Sequence, residues 1–101
     1  MPFSERGRTP ITYQIILTNR AENDLRALDT PIARRMMEKL QWLGKYAAQI
    51  VHHSLTSMPE DLKGLCRLRV GDWRILYRVY HERCEIVVYG VMHRSKAYRG
   101  L

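Results

Sequence analysis

Leu65-Cys66-Arg67-Leu68-Arg69-Val70-Gly71-Asp72-Trp73-Arg74-Ile75-Leu76-Tyr77-Arg78-Val79 alternates side-chain character on both sides of a Gly-Asp pair. Read with the two-residue period of a strand, Cys66, Leu68 and Val70 share one face, and Arg67 and Arg69 share the other. Beyond the pair, Trp73, Ile75, Tyr77 and Val79 lie on one face, with Arg74, Leu76 and Arg78 opposite. Gly71-Asp72 has the glycine-first chemistry of a tight two-residue hairpin turn, type II′. Such a turn fixes the register. Val70 then faces Trp73, Leu68 faces Ile75 and Cys66 faces Tyr77, which makes one face apolar. On the other face Arg69 lies directly across from Arg74, and Arg67 lies across from Leu76. Like charges directly opposite on neighbouring strands cost a few tenths of a kcal/mol to ~1 kcal/mol. A solvated surface carries that cost, and the arrangement suits a polyanion.

Working outward, Glu85-Ile86-Val87-Val88-Tyr89-Gly90-Val91-Met92 is a nearly continuous apolar strand, reached through the turn residues 80–84. On the other side, residues 52–63 read as an irregular connection centred on Met58-Pro59-Glu60-Asp61, with His52-His53 on its surface. Before it, Ile32, Met36, Leu40, Leu43, Ala47 and Ile50 recur at helical spacing. A helix from Thr30, its cap, to about residue 49 follows, with Pro31 in the first turn, where its missing N–H costs nothing. Trp42 and Tyr46 flank its apolar stripe and read mainly as core. A shorter helix carries Ala21, Leu25 and Leu28 inward after a cap at Thr18 or Asn19, with Glu22 as in a capping box. Tyr13-Gln14-Ile15-Ile16-Leu17 reads as a first strand. The order β-α-α-β-β-β describes an α+β domain, an N-terminal helical hairpin packed on one face of a small, mainly antiparallel sheet. Residues 1–10 are expected to form a flexible leader, and residues 11–101 one domain.

Seventeen Lys and Arg against ten Asp and Glu give a net charge of +7 over 101 residues. For so small a domain this points to nucleic acid or an acidic protein partner. No apolar run approaches the ~20 residues of a membrane span, and the N-terminus lacks a signal-peptide core, so the expected location is the cytoplasm. Cys66 and Cys84 form no metal spacing and fall on strands separated by a third, so both are expected to be reduced.

There is no glycine-rich phosphate loop, Cys-x-x-Cys, His-x-x-x-His or G-x-S-x-G in the chain. The remaining candidate is an anion site that needs no metal or other cofactor. Arg67, Arg69 and Arg74 share a sheet face, while His93, Arg94 and Tyr98 follow the last strand. RNA is cut without metal when a base takes the 2′-OH proton, cations stabilise the phosphorane and an acid protonates the departing 5′-oxygen. Arginine suits the cationic role; its pKa above ~12 makes it a poor proton carrier. His93, with a reference pKa near ~6.5, is the natural proton carrier of the set. Tyr98 either accepts a proton, if neighbouring arginines lower its pKa, or stacks on a base. The plainer readings are a C-terminal anchor for Tyr98 and an ordinary strand-end residue for His93.

The stretch from Leu65 to Tyr77, followed by Gly90-Val91-Met92-His93-Arg94-Ser95-Lys96-Ala97-Tyr98-Arg99, resembles the RelE/ParE superfamily of bacterial and archaeal toxins. The resemblance runs from about Tyr13 to Arg99. It implies a type II toxin–antitoxin toxin, of either the RelE-like branch, which cleaves mRNA in the ribosomal A site without metal, or the ParE-like branch, which poisons DNA gyrase. By resemblance Arg74 contacts the scissile phosphate, Arg94 stabilises the transition state or assists the leaving group, and Tyr98 acts on the 2′-OH or stacks on the substrate. Arg67 and Arg69 fall where well-known RelE enzymes have lysines, which keeps the charge and weakens proton transfer there. His93 matches a His-Arg pair common in relatives. The joint presence of Arg74, Arg94 and Tyr98 favours the nuclease branch. A gyrase inhibitor and an inactive antitoxin-binding member are the alternatives. Implied partners are a cognate antitoxin, RelB-like or of another class, the ribosome and mRNA, with operator DNA reached only through the antitoxin complex.

Overall fold

The structure, a computed structural model, describes residues 11–54 and 64–96. Its elements in chain order are β1 (Gln14–Leu17), α1 (Asn19–Arg26), α2 (Thr30–Tyr46), β2 (His53–Ser54), β3 (Cys66–Val70), β4 (Trp73–Tyr80) and β5 (Glu85–His93). Single 3₁₀ turns span His81–Arg83 and Arg94–Lys96. The five strands form one sheet in the order β1-β5-β4-β3-β2, in which β1 runs parallel to β5 and every other pair is antiparallel. The expected α+β architecture is present. The sequence reading did not include β2, whose two residues pair with Arg67 and Cys66 at the sheet edge.

The central hairpin has the expected register, from Cys66 opposite Tyr77 to Val70 opposite Trp73, with Arg69 facing Arg74. Gly71 turns the chain at φ +60°, and Asp72 is not in the positive-φ region, as a glycine-first turn requires. The core lies between the sheet and the helices. Met36, Leu40, Leu43 and Ala47 of the α2 stripe meet Ile75, Tyr77, Ile86 and Val88, while α1 contributes Ala21 and Leu25. Trp42 packs against the core rim, whereas Tyr46 is 37% exposed.

Both ends of α2 differ from the sequence reading, whereas α1 is capped by one of its two expected residues. Thr18 is the cap of α1, its Oγ1 accepting the Ala21 N–H at 3.1 Å. In α2 the cap is Asp29, one residue earlier than expected, and the helix ends at Tyr46. Gly44 explains part of that end. Its carbonyl accepts the Tyr13 N–H at 2.8 Å, and a Cβ there would stand 2.8 Å from the Tyr13 carbonyl oxygen. Only glycine lets α2 approach the chain entering β1 so closely.

β1 covers β5 only as far as Val88. Beyond it Asp24 of α1 takes over, its Oδ2 accepting the Val91 N–H at 3.0 Å. The pairing of β4 with β5 shifts at Leu76/Tyr77, where Tyr89 is the extra residue of a β-bulge. The bulge resets the alternation, so Val91 and His93 fall on the helix side with Ile75 and Trp73, and Met92 falls beside Arg74. No described helix is long and apolar enough to cross a membrane.

Candidate RNA-binding face and the basic turn

The site is built on the face of the sheet away from the helices. Strand alternation places Arg67 and Arg69 of β3 and Arg74 and Arg78 of β4 there. Arg67 and Arg69 are exposed; Arg74 and Arg78 are half-buried. Leu76, between Arg74 and Arg78, is fully buried, although its neighbours in register are Arg67 and Gly90. The face therefore has an apolar floor.

Arg74 and Arg94 converge on the Gly71-Asp72 turn. Arg74 Nη1 donates to the carbonyls of Gly71 and Trp73 at 3.1 and 3.0 Å. The Arg94 N–H donates to the Asp72 carbonyl at 2.7 Å, and Arg94 Nε lies 3.7 Å from Asp72 Oδ1. That ion pair is well exposed, so it orients Arg94 more than it stabilises the fold. The single acid at the turn leaves a local excess of positive charge.

His93 lies on the other side. It is the register partner of Trp73, and the two rings meet edge to face with centroids 5.3 Å apart. The Ser95 N–H donates to His93 Nδ1 at 3.2 Å, and Ser95 Oγ is 2.9 Å from the same nitrogen. A backbone donor requires Nδ1 to be the acceptor, so the ring proton sits on Nε2. His93 also lines a cleft of about 370 Å³ with Arg20, Asp24, Leu28, Trp73 and Lys96. Thus Arg67, Arg69, Arg74 and Arg94 gather at one face and its turn, His93 points away from them, and Tyr98 lies outside the described residues.

Two features escaped the sequence reading. Lys39 of α2 joins Arg67 and Arg69 in lining a groove of about 360 Å³, and Arg35, one turn earlier, lines a neighbouring one with Arg69 and Gly71. The four-residue spacing of Arg35 and Lys39 was the available signal. The second is His52, expected on a loop surface, which is half-buried. Its Nε2 donates to the Ala47 carbonyl at 2.8 Å, and its Nδ1 lies 2.7 Å from the Tyr77 hydroxyl. Burial, followed by the nearby Cys66, pushes the Tyr77 phenol well above the ordinary tyrosine range. Cys66 and Cys84 are not joined in a disulfide. Among the described residues no three His, Cys, Asp or Glu side chains come together as a metal site.

A family model described as the ParE toxin of the type II toxin–antitoxin system parDE matches residues 15–98. No curated protein matches the chain. Among solved structures, a chain of the RelBE2 toxin–antitoxin complex from Mycobacterium tuberculosis is 26% identical, with a TM-score of 0.69 over 84% of this chain and 94% of that one. The RelE–RelB complex from Pyrococcus horikoshii gives 25% identity and a TM-score of 0.66, covering 85% and 99%. Isolated RelE of E. coli, at 19% identity and a TM-score of 0.62 over 80% and 83%, shares the fold. Spanning most of the chain, the ParE match places this protein in the RelE/ParE superfamily, as a toxin of a type II toxin–antitoxin system.

Proposed function

We propose that the chain is a RelE-like endoribonuclease that cleaves mRNA on the ribosome, arrests translation and is neutralised by a cognate antitoxin. The observation that carries this reading is the convergence of Arg74 and Arg94 on the Gly71-Asp72 turn, with Arg69 directly across from Arg74. In the proposed reaction the 2′-oxygen loses its proton and attacks phosphorus, and the bond to the 5′-oxygen breaks as that oxygen is protonated. Arg74 binds the scissile phosphate, Arg94 stabilises the charge that builds on the phosphorane, and Arg67 and Arg69 hold flanking phosphates. Tyr98 acts on the 2′-OH or stacks on the substrate.

His93 takes a positioning role in this scheme. Its Nδ1 accepts from Ser95 and so anchors the 94–96 turn that presents Arg94. Replacement by Asn, which offers an acceptor oxygen, should retain more activity than replacement by Ala. If His93 instead carries the proton, both substitutions should be equally damaging and should flatten the pH profile near neutrality.

The antitoxin reading is supported by the RelB-bound relatives and by the +7 charge, which an acidic partner would offset. Operator DNA would be reached only through that complex. A second reading, gyrase inhibition without nuclease activity, is favoured by the ParE description of the matching family. Mapping mRNA 5′ ends after a short pulse of expression, with and without translation blocked, separates the two. New ends within translated frames that vanish when translation stops support the nuclease. Growth arrest with DNA-damage signalling and no new ends supports gyrase, and normal growth with folded protein indicates an inactive antitoxin-binding member.

A further inference from the structure

The arginine face does not end with its arginines. Alternation along β4 continues from Arg74 and Arg78 to Tyr80, and along β5 from Glu85 and Val87 to Tyr89. Tyr80 is in register with Glu85, four residues before Tyr89, an offset of ~13 Å along the strand. Yet the two hydroxyl oxygens are only 3.4 Å apart. Both rings must therefore extend toward each other over the sheet rather than stand upright from it. They form a half-buried aromatic floor.

One face of the Tyr80 ring is already covered by a cation. The Arg83 guanidinium lies 4.2 Å from the Tyr80 ring centroid and is held by Glu85 Oε1, 3.0 Å from Arg83 Nε. The Tyr89 phenol is held above its usual range by the Tyr80 hydrogen bond and by burial, while Arg78 and Arg83 pull it the other way. From Arg74 to Tyr80 the face runs ~20 Å, room for several nucleotides of single strand.

We propose that Tyr89, braced by Tyr80, forms a nucleobase subsite, remote from the basic turn, that stacks a base of single-stranded RNA while Arg78 and Arg83 attract its phosphates. This inference rests on the RNA reading of Arg67, Arg69 and Arg74 and extends it into a binding track. Stacking on tyrosine tolerates every base, because each base has a π-face. The subsite therefore contributes grip and register along the strand, and sequence preference arises elsewhere.

The test uses the full chain and fluorescent oligoribonucleotides of about ten nucleotides, the length of a single-strand site, with affinity read by anisotropy at fixed salt. Abasic residues are scanned along the RNA, so that wild-type protein itself reports the subsite. We expect one position, several nucleotides from the most salt-sensitive contacts, where losing the base weakens binding about ten-fold. Tyr89→Leu should lose the same factor and become indifferent to that abasic position, whereas Tyr89→Phe should bind like wild type. A scan with no sensitive position, or Tyr89→Leu binding as tightly as wild type while Arg69→Ala weakens binding, overturns the subsite and leaves the RNA reading intact. Unchanged affinity in both Arg69→Ala and Arg74→Ala, or no binding by wild type, overturns the RNA reading and the subsite with it. Weaker binding of protein ligands alone in Tyr89→Leu would assign the floor to a protein partner and reject the proposal.

Discussion

The two faces of β4 use opposite chemistry. Toward the helices, Tyr77 is buried beside His52, and their hydrogen bond tethers the segment after α2 to the sheet. Tyr13 and His81 make a similar pair, the hydroxyl 2.8 Å from Nδ1. On the other face, arginines lie beside and across from one another. One face secures the fold through pairing and exclusion of water. The other gathers positive charge. A substitution should therefore affect either stability or the proposed RNA binding, according to the face on which it falls.

Neighbouring residues of β4 provide the strongest challenge to that division. Ile75→Ala, at a fully buried position, should lower unfolding free energy by about 3 kcal/mol in urea titrations. Arg74→Ala should cost less than about 1 kcal/mol, because it removes only bonds to turn carbonyls. Yet it should reduce newly generated mRNA ends by about 100-fold. Equal destabilisation by the two would erase the distinction between the faces.

Gly44→Ala tests the helix side through backbone proximity. The added Cβ meets the Tyr13 carbonyl at 2.8 Å, so β1 or α2 must move, at a cost of about 2 kcal/mol. A thermal midpoint lowered by roughly 8 to 16 °C would record it. Tyr77→Phe should cost about 1 kcal/mol at neutral pH, leaving His52 Nδ1 without its partner. The variant also carries a pH signature. An unfolded tyrosine titrates near ~10, whereas folded Tyr77 keeps its proton to higher pH. Stability linked to Tyr77 is thus fully present below ~10 and lost as pH rises toward the folded value. Urea midpoints of wild type should fall more steeply above ~10 than those of Tyr77→Phe.

The smallest effect sharpens the comparison through its sign. Arg69→Ala removes the charge facing Arg74, so the fold should gain a few tenths of a kcal/mol. RNA affinity should nevertheless fall, together with its salt dependence. A variant that loses both stability and affinity would show that Arg69 is structural.

How far the sequence could be read followed from how local each determinant is. The register of β3 with β4 was legible because a two-residue turn leaves no freedom between Val70 and Trp73. The helix stripes were legible because Met36, Leu40 and Leu43 repeat at helical spacing. The facing of His93 was not, since it depends on a bulge at Tyr89 that a nearly continuous apolar run does not reveal. His52 was misread for a related reason. Its partners, the Ala47 carbonyl and Tyr77, are supplied by the end of α2 and by β4, and two adjacent histidines in a polar connection carry no periodicity. β2, with only two residues, is below the length at which alternation can be seen.

The parallel pairing of β1 with β5 also sets a timetable. Gln14 leaves the ribosome well before its partner Glu85 has been made. The α1–α2 hairpin can assemble during synthesis; the sheet cannot close around its central strand until β5 has emerged. The arginine hairpin, complete by Tyr80, thus waits for its supporting neighbour. A toxin built this way acquires its rigid cationic face only after β5 has been made.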